Sequence, residues 1–134
     1  MRYIPPFSTV CGVAGRSTEA GGRQTVSLSY DDLLKVVKML IAGIEVDEAW
    51  YLRQYEDVAA AISAGTFSSA QRHFCDNGYF EGRMPFPVKV NERWYLLQNP
   101  DVAENIRRGS VESAQDHFER NGYREGRLPF DLEK

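Results

Sequence analysis

A tandem duplication constrains this chain more than any other feature of its sequence. The segment from Glu48 to Phe86 aligns without a gap with the segment from Glu92 to Phe130, at an offset of 44 residues, and 23 of the 39 aligned positions are identical by direct count. Such identity over an ungapped block indicates duplication and predicts two copies of one supersecondary unit. Residues that both blocks share are therefore expected first to build that unit.

The signals inside each block predict helices. In the first block Val58 and Ile62 are four residues apart, so they lie on one helical face. In the second block Asn99-Pro100-Asp101 predicts a helix start, with Asn as the N-cap and Pro in the first turn. A Trp-Tyr-Leu element opens each block and predicts a short helix that brings a large ring inward.

Glycines are predicted to end the main helices. Gly65 suits the end of the first one, and Asn77-Gly78 suits the end of the second, which begins at Ser68, because Asn and Gly tolerate left-handed backbone geometry. The equivalent positions in the second block are Gly109, Asn121-Gly122 and Glu112. The Glu-Gly-Arg and Pro-Phe elements that follow predict a tight, ordered loop.

The remaining third of the chain precedes the blocks. Ser29 to Asp32 provides start signals for a helix from about residue 30 to residue 42. Residues 1–28 predict a flexible or irregular segment, with a short hairpin as the alternative. We therefore predict an all-α fold with an N-terminal helix in 29–46 and helical repeats over 47–90 and 91–134, each with an ordered EGRxPF loop.

Composition and charge exclude several classes of protein. A formal net charge of −3 gives no general reason to approach nucleic acid or an anionic membrane. The two cysteines form no CxxC pattern, which is typical of reduced thiols in a cytoplasm. Pro5-Pro6 interrupts the N-terminal apolar run, and the longest apolar segment, Leu33 to Ile44, is shorter than the roughly 20 residues of a membrane span. The expectation is a cytoplasmic protein with no signal peptide and no membrane span.

The two histidines, His73 and His117, occupy aligned positions and invite a metal or acid–base assignment. Each is followed directly by Phe, and neither has the spacing of a zinc motif. A position that recurs in every repeat normally serves packing, so we predict structural histidines, no metal and no cofactor. The remaining alternative is a metal held by one histidine from each block.

The Glu-Gly-Arg elements have two interpretations. Arg83 and Arg127 could bind a phosphate, or each could reach a helix carboxyl end or an acid of its own block, such as Asp57 or Asp101. Recurrence in both blocks favours the second interpretation, a clasp within the repeat. We therefore assign a structural repeat signature and no catalytic residue; the signature is Trp50, His73, Phe74, Gly78, Glu81 and Arg83, with Trp94, His117, Phe118, Gly122, Glu125 and Arg127 as their equivalents.

Aromatic and basic residues leave two further alternatives open. Trp50, Trp94 and the repeated tyrosines, Tyr51, Tyr79, Tyr95 and Tyr123, would make platforms for sugars if they were exposed, although core packing is the favoured role. A basic patch in the second block would suit nucleic acid, but interspersed glutamates favour a mixed solvated surface; its members are Arg107, Arg108, Arg120 and Arg124.

The shared pattern WYLxQxxDVAxxI, then G, then SAQxHFxxNGYxEGRxPF resembles a short bacterial repeat of the form YLxxYPDVAxAVxxGxxxSAxxHFxxxGxxEGRxP. That repeat occurs beside glycosyltransferase domains and in large surface or secreted bacterial proteins. The resemblance covers both blocks but not the N-terminal third. It implies a non-catalytic accessory module connected with polysaccharide assembly and supplies no catalytic residues. Because no glycosyltransferase domain lies within these residues, the expectation is an adaptor or regulator that binds a separate enzyme.

The leading functional hypothesis is therefore a bacterial protein-interaction module, with self-association through the N-terminal helix as a further expectation. The partner is another protein, and its predicted contacts combine that helix with positions that differ between the blocks: Leu34, Val37, Ile41, Phe67, Phe80, Arg107, Arg108 and Arg124. A carbohydrate-binding accessory module is the alternative, a nucleic-acid-binding helical protein is weaker, and a metal enzyme centred on the histidines ranks last.

Overall fold

A computed structural model describes residues 3, 5–13, 15–18 and 21–134 of the chain. The described part is mostly helical, which confirms the predicted all-α class at that level. None of its helices has the length and apolar character that crossing a membrane requires. Backbone contacts divide the chain into two compact units, Met1–Phe86 (unit 1) and Pro87–Lys134 (unit 2).

Unit 1 opens with a short helix and a hairpin. Helix α1 spans Phe7–Cys11, and strands β1 (Gly15–Thr18) and β2 (Gln24–Ser27) pair antiparallel, with Gly15 opposite Ser27. Gly21 and Gly22, in the connection between the strands, have φ of 109° and 80°, which glycine adopts without steric cost. The hairpin that the sequence gives as an alternative for residues 1–28 is thus present in the described part of that segment.

Helix α2 spans Tyr30–Ile41 and begins at Ser29, whose side chain accepts a hydrogen bond from the N–H of Asp32 at 3.1 Å. This start agrees with the prediction. Ile41 is buried and Val37 packs against the same core. These two residues, which the sequence predicts as partner contacts, thus pack in or against the core of their own unit, and their contact with a partner stays a prediction.

The rest of unit 1 contains three helices followed by a π-helical turn. They are α3 (Glu48–Gln54), α4 (Glu56–Ser63) and α5 (Ala70–His73), and the turn spans Phe74–Gly78. The core of the unit contains one cluster of buried residues, Ile41, Val46, Tyr51, Val58, Ala70 and Phe74.

Unit 2 has helices at the aligned positions of its sequence. They are α6 (Glu92–Gln98), α7 (Pro100–Arg107) and α8 (Ala114–His117), with a π-helical turn over Phe118–Gly122. Its buried apolar residues are Val90, Tyr95, Val102, Ala114 and Phe118.

Helices α5 and α8 begin slightly later than predicted. Their first residues are Ala70 and Ala114, because Ser69 caps α5 by accepting a hydrogen bond from the N–H of Arg72 at 3.0 Å, and Ser113 is the equivalent cap of α8.

Gly65 and Gly109 are correctly predicted helix ends, since their φ values are 80° and 81°. Gly78 and Gly122 are not in the left-handed region, so the predicted reason for these two glycines is wrong.

Each unit has an ion pair between its last α-helix and the π-helical turn that follows, and the order of acid and base along the chain is reversed between the units. In unit 1, Nε of Arg72 lies 2.7 Å from Oδ2 of Asp76, four residues later. At the aligned positions of unit 2, Nε of Arg120 lies 2.8 Å from Oδ1 of Asp116. The acid and the base have exchanged places while the pair itself is present in both units.

Candidate functional site

The repeated histidines are buried and bonded inside their own units. The hydroxyl of Tyr51 and Nδ1 of His73 are 2.9 Å apart, and both side chains are buried. In unit 2 the hydroxyl of Tyr95 and Nδ1 of His117 are also 2.9 Å apart. One ring nitrogen of each histidine is thus engaged by a tyrosine, as expected of a structural histidine.

The glycine that follows each histidine by five residues makes room for this pair. A Cβ on Gly78 would lie 2.2 Å from the hydroxyl of Tyr51, and a Cβ on Gly122 would lie 2.2 Å from that of Tyr95. Such distances are far below van der Waals contact. The sequence signal for these glycines was present, but its cause is steric space and not backbone conformation.

Burial sets the protonation of the pair in unit 1. It raises the pKa of Tyr51 and lowers the pKa of His73 from its usual 6.5, so both groups are neutral at pH 7. Nε2 of His73 lies 3.9 Å from Oε2 of Glu81. That carboxylate favours the tautomer with the proton on Nε2, in which the hydroxyl of Tyr51 donates to Nδ1.

Arg83 closes unit 1 as a clasp. Its guanidinium donates to both carboxylate oxygens of Asp57, at 2.8 and 2.7 Å, and its Nε donates to Glu81 at 2.8 Å. The same guanidinium lies 4.9 Å from the ring centre of Tyr55. The hydrogen bond from Arg83 holds the pKa of Asp57 at about 2, below its usual 3.8. The predicted acid partner is the observed one, and the arginine's donors are directed at its own unit.

Arg127 makes the corresponding bonds in unit 2. It donates to both oxygens of Asp101, at 2.9 and 2.8 Å, and its Nε donates to Glu125. It also donates to Oδ1 of Asn99 at 2.8 Å, while Nδ2 of Asn99 donates to the carbonyl of Tyr95. Asn99 therefore occupies the predicted N-cap position of α7 without its side chain capping the helix.

A glutamine that the sequence analysis does not single out binds the backbone just before the first helix of each aligned block. Oε1 of Gln71 accepts from the N–H of Val46 at 2.9 Å, and its Nε2 donates to the carbonyl of Ile44 at 2.8 Å. Gln115 makes the same two bonds in unit 2. The signal was the identity of Gln in both blocks, but a polar residue on a helix gives no indication of a backbone partner so far away in sequence.

The aromatic residues proposed for sugar binding are mostly part of the cores. Tyr51 and Tyr95 are fully buried, and Trp50 packs against the core of unit 1. Trp94 is half-buried, whereas Tyr79 is 40% exposed. These rings do not form an exposed platform around Tyr51 or Tyr95.

The four arginines of the predicted basic patch are exposed, and three of them have acidic partners. Arg107 and Arg108 both pair with Glu104, and Arg120 pairs with Asp116. Arg124 is also exposed. The predicted mixed surface of alternating charge is the observed one.

No group of three or more His, Cys, Asp or Glu side chains with the arrangement of a metal site occurs among the described residues. In addition, every buried side-chain nitrogen or oxygen among these residues has a hydrogen-bond partner.

The remaining predicted contacts of unit 1 divide between core and surface. Phe67 is half-buried, with its ring centre 4.8 Å from that of His73, and Leu34 is half-buried on α2. Phe80 is 41% exposed. Two further leucines of α2, Leu33 and Leu40, are 44% and 37% exposed.

A groove of about 310 Å³ in unit 1 lies between α2 and the π-helical turn. Its lining includes Tyr30, Leu34 and Lys38 from α2, and Asp76, Phe80 and Glu81 from the turn and the residues after it. Nζ of Lys38 lies 5.9 Å from the ring centre of Phe80. The groove thus combines aromatic walls with charged groups of both signs.

No family model, curated protein or solved structure matches this chain.

Proposed function

We propose that this chain is a non-catalytic protein-interaction module that acts as an adaptor or regulator. One observation carries the proposal: the shared residues that could bind a ligand or take part in catalysis direct their polar groups at partners inside their own unit. Tyr51 and His73 bond to each other, and Arg83 is directed at Asp57 and Glu81. Their equivalents in unit 2 are bonded in the same way.

We further propose that the two blocks are copies of one helical repeat closed by an ordered EGRxPF loop. The support is that the same hydrogen bonds recur at aligned positions of the two blocks. The N–H of Asp47 donates to the carbonyl of Pro85 at 2.9 Å, and the N–H of Asn91 donates to the carbonyl of Pro129 at 2.9 Å. In each block this bond ties the loop back to the start of the first helix. A bacterial cytoplasm and a link to polysaccharide assembly are the setting that we propose from the sequence resemblance.

Binding to a partner then depends on exposed residues that the repeats do not share. Leu33 and Leu40 of α2 belong to unit 1 and have no equivalent in unit 2, because α2 precedes the duplicated blocks. Exposed apolar side chains on one helix face are typical of an interaction surface. They replace Val37 and Ile41 as the contacts that we propose for α2.

The observations favour this function over the two binding alternatives. Burial of Tyr51 and Tyr95 argues against sugar stacking at those rings. Pairing of Arg107 and Arg108 with Glu104 argues against a free basic patch for nucleic acid.

Affinity capture from the native lysate tests the proposal. Wild type is compared with Leu33→Asp/Leu40→Asp and with the control Leu97→Asp, a leucine of unit 2 that is 69% exposed. We expect a specific protein to be retained by wild type and by the control and lost by the double variant. If the double variant captured the same protein as wild type, the proposed contact surface at Leu33 and Leu40 would be refuted. Recovery of glycan or nucleic acid in place of protein would refute the proposed protein-interaction function.

A further inference from the structure

We propose that the groove between α2 and the π-helical turn of unit 1 binds an arginine side chain in a peptide segment of a partner protein. The inference rests on the proposed function, because it names the kind of segment that an interaction module of this design would recognise. Three groove residues, Phe80, Asp76 and Glu81, support it, together with the contacts that the protein's own arginines make.

The groove offers an aromatic face next to carboxylates. Phe80 is 41% exposed, and Asp76 and Glu81 lie in the same lining. Arg72 approaches Asp76 through Oδ2, and Arg83 approaches Glu81 through Oε2. Oδ1 of Asp76 and Oε1 of Glu81 lie outside these two pairs. A guanidinium can stack on a ring and donate in its plane to a carboxylate at the same time, whereas an ammonium is a compact point charge.

Unit 1 already contains this arrangement once. The guanidinium of Arg83 lies 4.9 Å from the ring centre of Tyr55 while it donates to both oxygens of Asp57. Ring and carboxylate together thus hold an arginine that the chain itself supplies. The groove presents a ring and carboxylates on the surface, where Arg72 and Arg83 each approach one carboxylate oxygen and a further arginine would come from another molecule.

Lys38 indicates that the ring of Phe80 accepts a cation. Its ammonium lies 5.9 Å from the ring centre, at the outer limit of a cation–π contact. A flexible surface lysine is easily displaced by a guanidinium that also reaches a carboxylate. Removal of Lys38 would take away the one positive charge among the lining residues, so repulsion of a basic side chain would decrease.

The aligned positions of unit 2 carry different residues. Arg120 stands where unit 1 has Asp76, and Arg124 stands where unit 1 has Phe80. Both replacements would repel a guanidinium. The groove is therefore assigned to unit 1, because Asp76 and Phe80 lie at positions where the two blocks differ, whereas Glu81 is shared.

Peptide titration of the full chain tests the inference. The probe is a pentapeptide with a central arginine flanked by glycine and serine, and its control carries citrulline, the neutral isostere, at the centre. Binding is followed by amide chemical shifts of α2 and the π-helical turn. We expect weak binding of the arginine peptide at this groove, binding about threefold tighter in Lys38→Met through loss of one like charge, and at least about tenfold weaker in Phe80→Arg.

Leu128→Arg, at an exposed leucine of unit 2, is the matched control for an added surface charge and is expected to bind like wild type. Equal binding of the arginine and citrulline peptides would overturn the proposal, as would wild-type affinity in Phe80→Arg. A lysine peptide that binds as tightly as the arginine peptide would overturn the assignment of the guanidinium. The capture experiment varies Leu33 and Leu40, which do not line the groove. If the arginine peptide did not bind but the partner protein was still captured, this inference alone would be refuted.

Discussion

The hydroxyl of Tyr51 and Nδ1 of His73 lie 2.9 Å apart, and the backbone of Gly78 passes so close that a Cβ there would lie 2.2 Å from the same hydroxyl. A tyrosine that is far away in sequence therefore fits against a histidine and a glycine that are five residues apart. The second block reproduces this point with Tyr95, His117 and Gly122. The pattern of a histidine followed five residues later by glycine thus reflects a buried hydrogen bond and the space that it needs.

Substitution of Gly78 by alanine should destabilise the protein by about 2 kcal/mol, because overpacking of a rigid buried site is costly. Tyr51→Phe removes the hydroxyl that the new methyl group would meet, although it also removes the hydrogen bond to His73. The double variant should therefore be less destabilised than the sum of the single variants, by about 1 kcal/mol or more. Urea unfolding of the four proteins in this cycle measures the difference.

Gly65→Ala serves as a control for the first prediction, since that glycine has φ of 80° and nothing within 4 Å of its added Cβ. Its cost is backbone strain alone, so Tyr51→Phe should not relieve it. Strictly additive costs for Gly78→Ala and Tyr51→Phe would contradict the steric explanation.

Acid should destabilise unit 1 in two ranges of pH. Burial lowers the pKa of His73 below 6.5, and the hydrogen bond from Arg83 lowers the pKa of Asp57 from 3.8 to about 2. In both cases the unfolded chain binds a proton more readily than the folded chain, so the free energy of unfolding falls as pH falls. The contribution of His73 is complete above 6.5 and is lost below it, and that of Asp57 is lost between 3.8 and about 2.

Unfolding free energies across this pH range, measured for wild type, His73→Gln and Asp57→Asn, separate the two contributions. His73→Gln should flatten the upper range and leave the lower one, and Asp57→Asn should do the reverse. An upper range that is equally steep in His73→Gln would show that another group carries it.

Arg83→Lys should cost about 1 kcal/mol of stability although the charge is retained, because an ammonium cannot donate to both oxygens of Asp57 and to Glu81 from a fixed plane. The arginine side chain is 17% exposed and that of Asp57 is 66% exposed, so solvent limits the effect. Arg53→Lys, at an exposed position of the same unit, should change stability by less than about 0.5 kcal/mol. Equal effects of the two substitutions in thermal or urea unfolding would refute the clasp.

Local signals in the sequence predicted the helix starts at Ser29 and Pro100, and the left-handed glycines at 65 and 109. Each depends on residues that are near one another in the chain. The partner of Arg83 was also predictable, because few acids recur in both blocks. Other contacts between residues far apart in sequence were not predictable. The hydroxyl that requires glycine at position 78 comes from a tyrosine 27 residues earlier.

The apolar residues of α2 gave the other difference between prediction and structure. The sequence indicates that they cover more than one stripe of the helix, and Leu33 and Leu40 are indeed exposed. Which stripe faces the core is decided by packing. Ile41 joins Val46 and Tyr51 in the core. Periodicity alone could not show which apolar residues of α2 would be buried in this way and which would stay exposed.

The reversed ion pair between Arg72 and Asp76 and between Asp116 and Arg120 has a consequence for the ancestry of the chain. If the two blocks descend from one sequence, no single substitution converts one arrangement into the other. Replacing one member directly by a residue of the opposite charge would leave two like charges one helical turn apart, at a cost of a few tenths of a kcal/mol. So small a penalty is tolerable for a lineage until the second change restores the attraction. On that condition, the two blocks would carry the two compensated arrangements of one ion pair within a single chain.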